Sequence, residues 1–438
     1  MDAAACGCVN EKQMAMDCAD GVAAVVAWLQ PHFRRSEAHG HAAAYLRGLI
    51  ADVERKNGWQ LAERVGYGHP RGIQRVLDRY AWDAAAVRAA LRRYVVAELG
   101  DPQGVLVVDE TGFPKQGSHS VGVARQYCGT LGKIANCQIG VFLGYATAHG
   151  HVGLDCALFV PEDWFAERDR CRQAGIPDSV THRTKPQLAW GLLERALDAG
   201  VPAAWVTADA VYGSDGKLRR ALEARGQAYV LAVRSNEKPT PWPPYGPPGQ
   251  VAVAALAAAV PAADWRRLSC GEGAQGPRRY DWAYLPVRPA LHKGWVHAVL
   301  LRRHPERPDE LAYYLVYAPV DTPLGEVVRA AGARWTIDDT FKLAKGQVGL
   351  DHYEVRSWQG WYRHITLALV AFAALTIGAR KKGRPTAPAT SQSPSRKSAA
   401  SSSGSSGPRR ERPTTFLPGP AGGATTKRSP KAVIAVAA

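Results

Sequence analysis

Residues 104–117 read Gly-Val-Leu-Val-Val-Asp-Glu-Thr-Gly-Phe-Pro-Lys-Gln-Gly. Residues 105–108 form an unbroken aliphatic run, which reads as a strand buried on both faces of a sheet. The run ends abruptly at Asp109 and Glu110, followed by the turn signal Thr111-Gly112. A carboxylate at the end of a central strand is costly unless it is paired or holds a cation. Asp109 therefore reads either as a cap at the strand end or as a metal ligand on a rigid element. A second carboxylate in the same setting would decide between the two.

Residues 204–213, Ala-Trp-Val-Thr-Ala-Asp-Ala-Val-Tyr-Gly, supply one: Trp205, Val206 and Thr207 read as a short buried strand, with Asp209 just past its end. A third acidic stretch runs from Arg334 through Asp338, Asp339 and Phe341 to Lys345 and Gly346, and reads as a helix stopped by Gly346. At about 100° per residue, Arg334, Asp338 and Lys345 fall within roughly 40° of one another, with Phe341 on the same face and Asp339 turned away. A solvated helix face can carry the same pattern.

Taken together these segments resemble the DDE transposases of bacterial insertion sequences, in the branch with a β-rich insertion before the last acidic residue and an Arg-x3-Glu-x6-Lys helix. The resemblance rests on residues 109–115, 120–129, 209–213 and 349–356, and covers about residues 30–375. It implies an α/β fold: an RNase H-like mixed-sheet catalytic core with an inserted β subdomain, preceded by a helical DNA-binding domain. It also implies that Asp109, Asp209 and Asp338 are catalytic and hold two divalent ions, with Asp109 bridging them. Oxygen-only ligation favours Mg2+ or Mn2+ over Zn2+. Arg334 and Lys345 are then expected beside the scissile phosphate, and Lys115 and Arg125, within the matching motifs, among the DNA contacts. The implied reaction is cut-and-paste: metal-dependent cleavage of element ends, then attack of the freed 3′-hydroxyl on target DNA. Its partners would be terminal inverted repeats and target DNA, bound by a homodimer.

Two positions depart from the family pattern. Asp338 stands where the family carries Glu, and Ala331 where the branch carries Tyr. Asp is one methylene shorter, roughly 1.5 Å, against a tolerance of about 0.2 Å in metal–oxygen distance. The departures keep two alternatives open: a DNA-binding remnant that grips element ends without cutting them, and an RNase H-like nuclease of other specificity.

Composition narrows the class. The net charge is +16, but residues 380–438 hold twelve Lys or Arg against the single acid Glu411, leaving about +5 for the rest. DNA binding must therefore come from where charges sit. The eight Cys form no Cys-x2-Cys pair and complete no zinc pattern with His, so reduced thiols are expected. Gly129-Thr-Leu-Gly-Lys133 lacks phosphate-loop spacing. The longest apolar run, Ile365–Ile377, falls short of the roughly 18 residues that suggest a span and reads as a packed helix. No secretory signal is recognised, and a cytoplasmic, nucleoid-associated protein without membrane contact is expected.

Along the chain, residues 1–100 read as a helical N-terminal domain. Two short helices, Trp59–Val65 and Arg71–Tyr80, flank Gly66-Tyr-Gly-His-Pro70 in a helix-turn-helix-like pattern, with Arg71 and Arg75 on the exposed side. An ordinary α-hairpin with a basic face reads the same way. Residues 101–235 read as the first part of the core, with Ser120–Tyr127 and Ile139–Tyr145 as antiparallel partners of the first strand. Residues 236–320 read as the inserted β-rich subdomain, entered by a Pro-rich connector. Residues 321–379 return to core helices. Arg356 and Trp358 there belong to an aromatic-basic cluster suited either to DNA contact or to anchoring the last helix. Residues 380–438, rich in Ser, Pro, Gly, Ala and Arg, read as a disordered basic tail. Its onset in mid-helix suggests a frame-shifted or replaced terminus.

Overall fold

The computed structural model describes residues 22–239, 251–273, 276–290 and 292–381. Most of the Pro-rich connector, Cys6, Cys8, Cys18 and the tail from residue 382 lie outside the described residues.

The described residues open with five α-helices: α1 (residues 22–29), α2 (Ser36–Ile50), α3 (Gly58–Arg64), α4 (Arg71–Asp78) and α5 (Ala84–Leu99). Local chemistry sets their starts. The Asn57 side chain accepts from the backbone N–H groups of Trp59 and Gln60 at α3, and Asp83 accepts from Ala85 at α5. Four strands follow: β1 (Val105–Pro114), β2 (Ala124–Cys128), β3 (Lys133–Thr147) and β4 (Gly150–Phe159). Short helices α6 (Glu162–Ala166) and α7 (Arg168–Gln173) lead to α8 (Lys185–Asp198), which opens on a capping box between Thr184 and Gln187. Then come β5 (Trp205–Ala208), α9 (Ala210–Gly213), α10 (Gly216–Ala224), β6 (Tyr229–Val233) and α11 (Val253–Ala258). Strands β7 (Arg266–Gly273), β8 (Gly276–Pro289), β9 (Trp295–Arg303) and β10 (Leu311–Pro319) precede α12 (Leu324–Gly332), α13 (Trp335–Val348) and α14 (Trp358–Lys381).

The ten strands form one mixed sheet in the order β2-β3-β1-β5-β6-β10-β9-β8-β7, with β4 paired to β3. β1 is antiparallel to β3 and parallel to β5, the mixed pairing of an RNase H-like core. The strands expected in the insertion continue this sheet, because β10 pairs antiparallel with β6. The N-terminal helices join the same hydrophobic core as the sheet. Buried Arg363 of α14 donates to the carbonyls of Tyr80 and Trp82, and Tyr45 of α2 shares a 2.8 Å hydrogen bond with His364.

Four local expectations need correction. β1 does not end at Asp109, and Thr111-Gly112 is not a turn: residues 109–114 go on pairing with β3, so the strand runs to Pro114. Only 124–127 of the segment Ser120–Tyr127 lies in a strand, β2, which runs one residue further to Cys128 and pairs with β3, not β1, since β3 already occupies that edge of β1. The helix carrying Asp338 does not stop at Gly346. It runs to Val348 and ends at Gly349, whose φ of 62° provides the left-handed exit. The last helix is 24 residues long rather than the thirteen of its apolar run, and is long and apolar enough to cross a membrane, but 78% of its most apolar window is buried within the protein. It is the core helix against which α2, α4, α5 and β4 pack.

Candidate functional site

The alternation of side chains along β1 builds the site. Asp109 and Thr111 point to the face covered by α13, and Glu110 points to the opposite face, toward α8 and α9. Two contacts dock α13 across β3. Ile337 sits so close over Gly144 that a Cβ there would lie 2.7 Å from Ile337 Cδ1, and the Phe341 ring meets Phe142, the register partner of Asp109, at 5.3 Å between centroids. This docking delivers Arg334, whose Nη1 lies 3.8 Å from Asp109 Oδ2, and Lys345, whose Nζ donates to Thr111 Oγ1 (2.9 Å), Thr130 Oγ1 (3.0 Å) and the Gly112 carbonyl (3.4 Å). Asp338, in the first turn of α13, is exposed on the same approach.

Asp209 arrives from the neighbouring strand. Val108 and Ala208 are register partners in the parallel β1–β5 pair, so Asp109, midway along β1, and Asp209, just past the end of β5, lie about 5 Å apart at the backbone. Asp209 then caps α9, accepting from the Val211 N–H at 2.8 Å. Burial first, and then the Asp209 charge, push the Asp109 carboxyl up to about 8; Glu110 and Asp338 add to the rise. Asp209 is raised too, by burial and then Glu110, and Arg334 draws it back. One guanidinium thus faces several carboxylates, leaving an excess of acidic groups where β1 and β5 meet.

On the opposite face Glu110 accepts from Lys185 Nζ at 2.6 Å and from the Tyr212 hydroxyl. Burial raises the Tyr212 phenol well above its ordinary range, so it stays a donor. Glu110 therefore ties the starts of α8 and α9 to β1 and fixes the loop that carries Asp209. Glu110, Lys185, Tyr212 and Thr130 were missed as site residues. For Glu110 the signal was present: period-two alternation sends it to the face opposite Asp109.

The other expected contacts are dispersed. Arg71 and Arg75 are exposed on α4, Arg125 is exposed on β2, and Arg356 is exposed just before α14. Lys115 lies 3.7 Å from the centroid of the Tyr353 ring and donates to the Tyr353 carbonyl; burial lowers its pKa to about 8. Trp358 is half-buried, while its neighbours Trp361, Arg363 and His364 are fully buried in the core.

The oxygen donors and excess negative charge at Asp109 and Asp209 suit a hard divalent cation. Asp338 does not complete a cage: among the described residues no three His, Cys, Asp or Glu side chains form a group that could hold a metal ion.

Comparison with known proteins agrees with this architecture. Residues 28–285 match a family model described as DDE superfamily endonuclease. The chain is also 31% identical, over 191 residues, to a protein of Microchaete diplosiphon described as a probable transposase for insertion sequence element IS701. That match covers 43% of this chain and 47% of the relative, so the chain spans about half the length of the curated relative it matches. With more than half of its residues matched to the family model, the chain belongs to the DDE superfamily of endonucleases.

Proposed function

We propose that the chain is the transposase of an insertion sequence, cutting double-stranded DNA at element ends and joining the freed 3′ ends to target DNA. The observation that carries this reading is the meeting of Asp109 and Asp209, on the paired central strands β1 and β5, with the start of α13 that bears Arg334 and Asp338. Asp109 and Asp209 would hold Mg2+ or Mn2+. Bound there, a divalent cation supplies an activated oxygen nucleophile and neutralises charge on the phosphodiester. The expected two-ion arrangement requires Asp338 as the third carboxylate. Arg334 is placed to leave Asp109 for a phosphate oxygen. Lys345, with its ammonium shared among three oxygen acceptors, acts as a fixed positive charge rather than a free donor. Exposed Arg71 and Arg75 suit backbone contacts to the terminal repeats. Engaging two ends together calls for two copies of the chain.

The short Asp338 side chain and the absence of a three-carboxylate group among the described residues favour a second reading, a protein that holds element ends without cutting. Labelled terminal-repeat DNA incubated with the protein and Mn2+ separates the two. The transposase reading expects nicked or cleaved product that disappears in Asp109→Asn, with Asp338→Glu faster than the parent. Retarded but uncut DNA, unchanged by Asp338→Glu, would establish the binder.

A further inference from the structure

A cavity of about 560 Å³ lies between α5, α8, β4 and the start of α14, and its lining includes none of Asp109, Asp209 and Asp338. Its size suits a small organic ligand, for which about 300–1,000 Å³ is usual. The α8 stripe Leu188, Gly191 and Arg195 forms one wall, and Trp358 and Tyr362 of α14 form another.

The charge lining it is unbalanced in a specific way. Arg88 is committed to Asp155 and Thr366, and Arg363 to backbone carbonyls. Arg195 spends its Nε on Asp155, which leaves its terminal nitrogens available. Arg183 has no hydrogen bond or ion pair among the described residues. A Cβ placed on Gly191 would lie 3.6 Å from Arg195 Nη1 and 4.0 Å from Arg183 Nη1, so the two guanidinium groups converge over bare backbone, close enough for one phosphate to bridge them. The acid at the rim, Asp83, is occupied in capping α5. Behind the two arginines, the half-buried Trp358 ring offers a flat apolar surface, 4.8 Å from Tyr362 between centroids.

We propose that this cavity binds a nucleotide unit, with Arg183 and Arg195 taking the phosphate and Trp358 stacking on the base. Arginine pairs favour phosphate, and aromatic faces accept any base. An unpaired strand offers both groups at once, a free base face and its phosphate, and is the form such a cavity would take. The proposal does not depend on cleavage at the acidic site.

The test uses the full chain carrying Asp109→Asn, without divalent metal, and reads fluorescence anisotropy of a short labelled single-stranded oligonucleotide. Arg183→Glu and Trp358→Ala are each expected to weaken binding about tenfold, with Trp358→Phe keeping most of it. Circular dichroism confirms that the variants fold; Arg183, exposed and unpartnered among the described residues, is the safe substitution. Competition identifies the source. Displacement by free dAMP means that free nucleotides also enter, and failure of dAMP to displace means that the strand itself is the ligand. The proposal is overturned if both variants bind within about twofold of the Asp109→Asn parent, or if dAMP displaces the oligonucleotide and inorganic phosphate displaces it equally well.

Discussion

Two carboxylates on neighbouring parts of the sheet live in opposite electrostatic worlds. Asp155, on β4, is 1% exposed and bound by three arginines: Arg88 at 2.7 Å, Arg92 at 3.0 Å and Arg195 at 3.1 Å. Asp109, on β1, shares its surroundings with Glu110, Asp209 and Asp338, and its nearest cation is Arg334 at 3.8 Å. The first is a surfeit of cations around one acid, and it pins α5 and α8 to β4. The second is a surfeit of acids around one cation. A buried charge without its partner is destabilising, so the Asp109 region is kept at a cost to the fold, which points to a ligand that arrives later. Strongly perturbed carboxylates in such a setting mark sites of chemistry more often than sites of architecture.

The contrast can be broken most forcefully at Asp155. Asp155→Ala leaves three arginines facing one another at the junction of α5, α8 and β4. It should cost about 3–5 kcal/mol in urea unfolding, whereas Asp109→Asn, which puts a neutral amide where burial already keeps the carboxyl protonated, should leave stability unchanged or raised. Equal losses from both would erase the distinction.

Next in size is a pH effect. Raised from 3.8 to about 8 in the metal-free fold, Asp109 keeps its proton between those values while the unfolded chain has lost it. Its contribution to stability is therefore fully present below about pH 4, falls as pH rises through the window, and is gone above about 8. Asp109→Asn should flatten that slope in thermal melts taken across the range. At pH 8, Mn2+ at about a hundred times its dissociation constant should add about 2.7 kcal/mol to the parent and nothing to the variant.

A smaller effect is expected at the link between the faces of β1. Tyr212→Phe removes a donor from Glu110 and should cost about 1.5–3 kcal/mol, while loosening the loop that carries Asp209. Weaker Mn2+ stabilisation in Tyr212→Phe, measured by thermal shift, would show that Glu110 positions Asp209. Smallest is Arg75→Ala on the exposed face of α4: stability should move by less than about 0.5 kcal/mol, and duplex binding should weaken uniformly across sequences, with a salt slope shallower by about one.

Much of this organisation is legible in the residues alone. The aliphatic run before Asp109 and the short strand before Asp209 are buried as such runs must be, and the 3.6-residue period correctly puts Arg334 and Lys345 on the side of α13 that meets β1. Those readings succeed because each depends on local periodicity. β4 and β7 escaped because their sequences carry Gly and mixed polarity, and only pairing with a neighbouring strand makes them strands. The aromatic-basic stretch of α14 was ambiguous in sequence. Tertiary packing divided it, burying Trp361, Arg363 and His364 while leaving Trp358 at a cavity mouth.

By itself, then, the sequence determined that an acidic side chain follows each of two buried apolar runs, and that a third rides a helix face with two cations. Hydrophobic runs and helical period are written residue by residue. Only the tertiary structure decided which carboxylate is neutralised and which is left wanting a cation. That depends on charges brought from α5, α8, α9 and α13, dozens to hundreds of residues away, and on how much water the packing excludes from each acid.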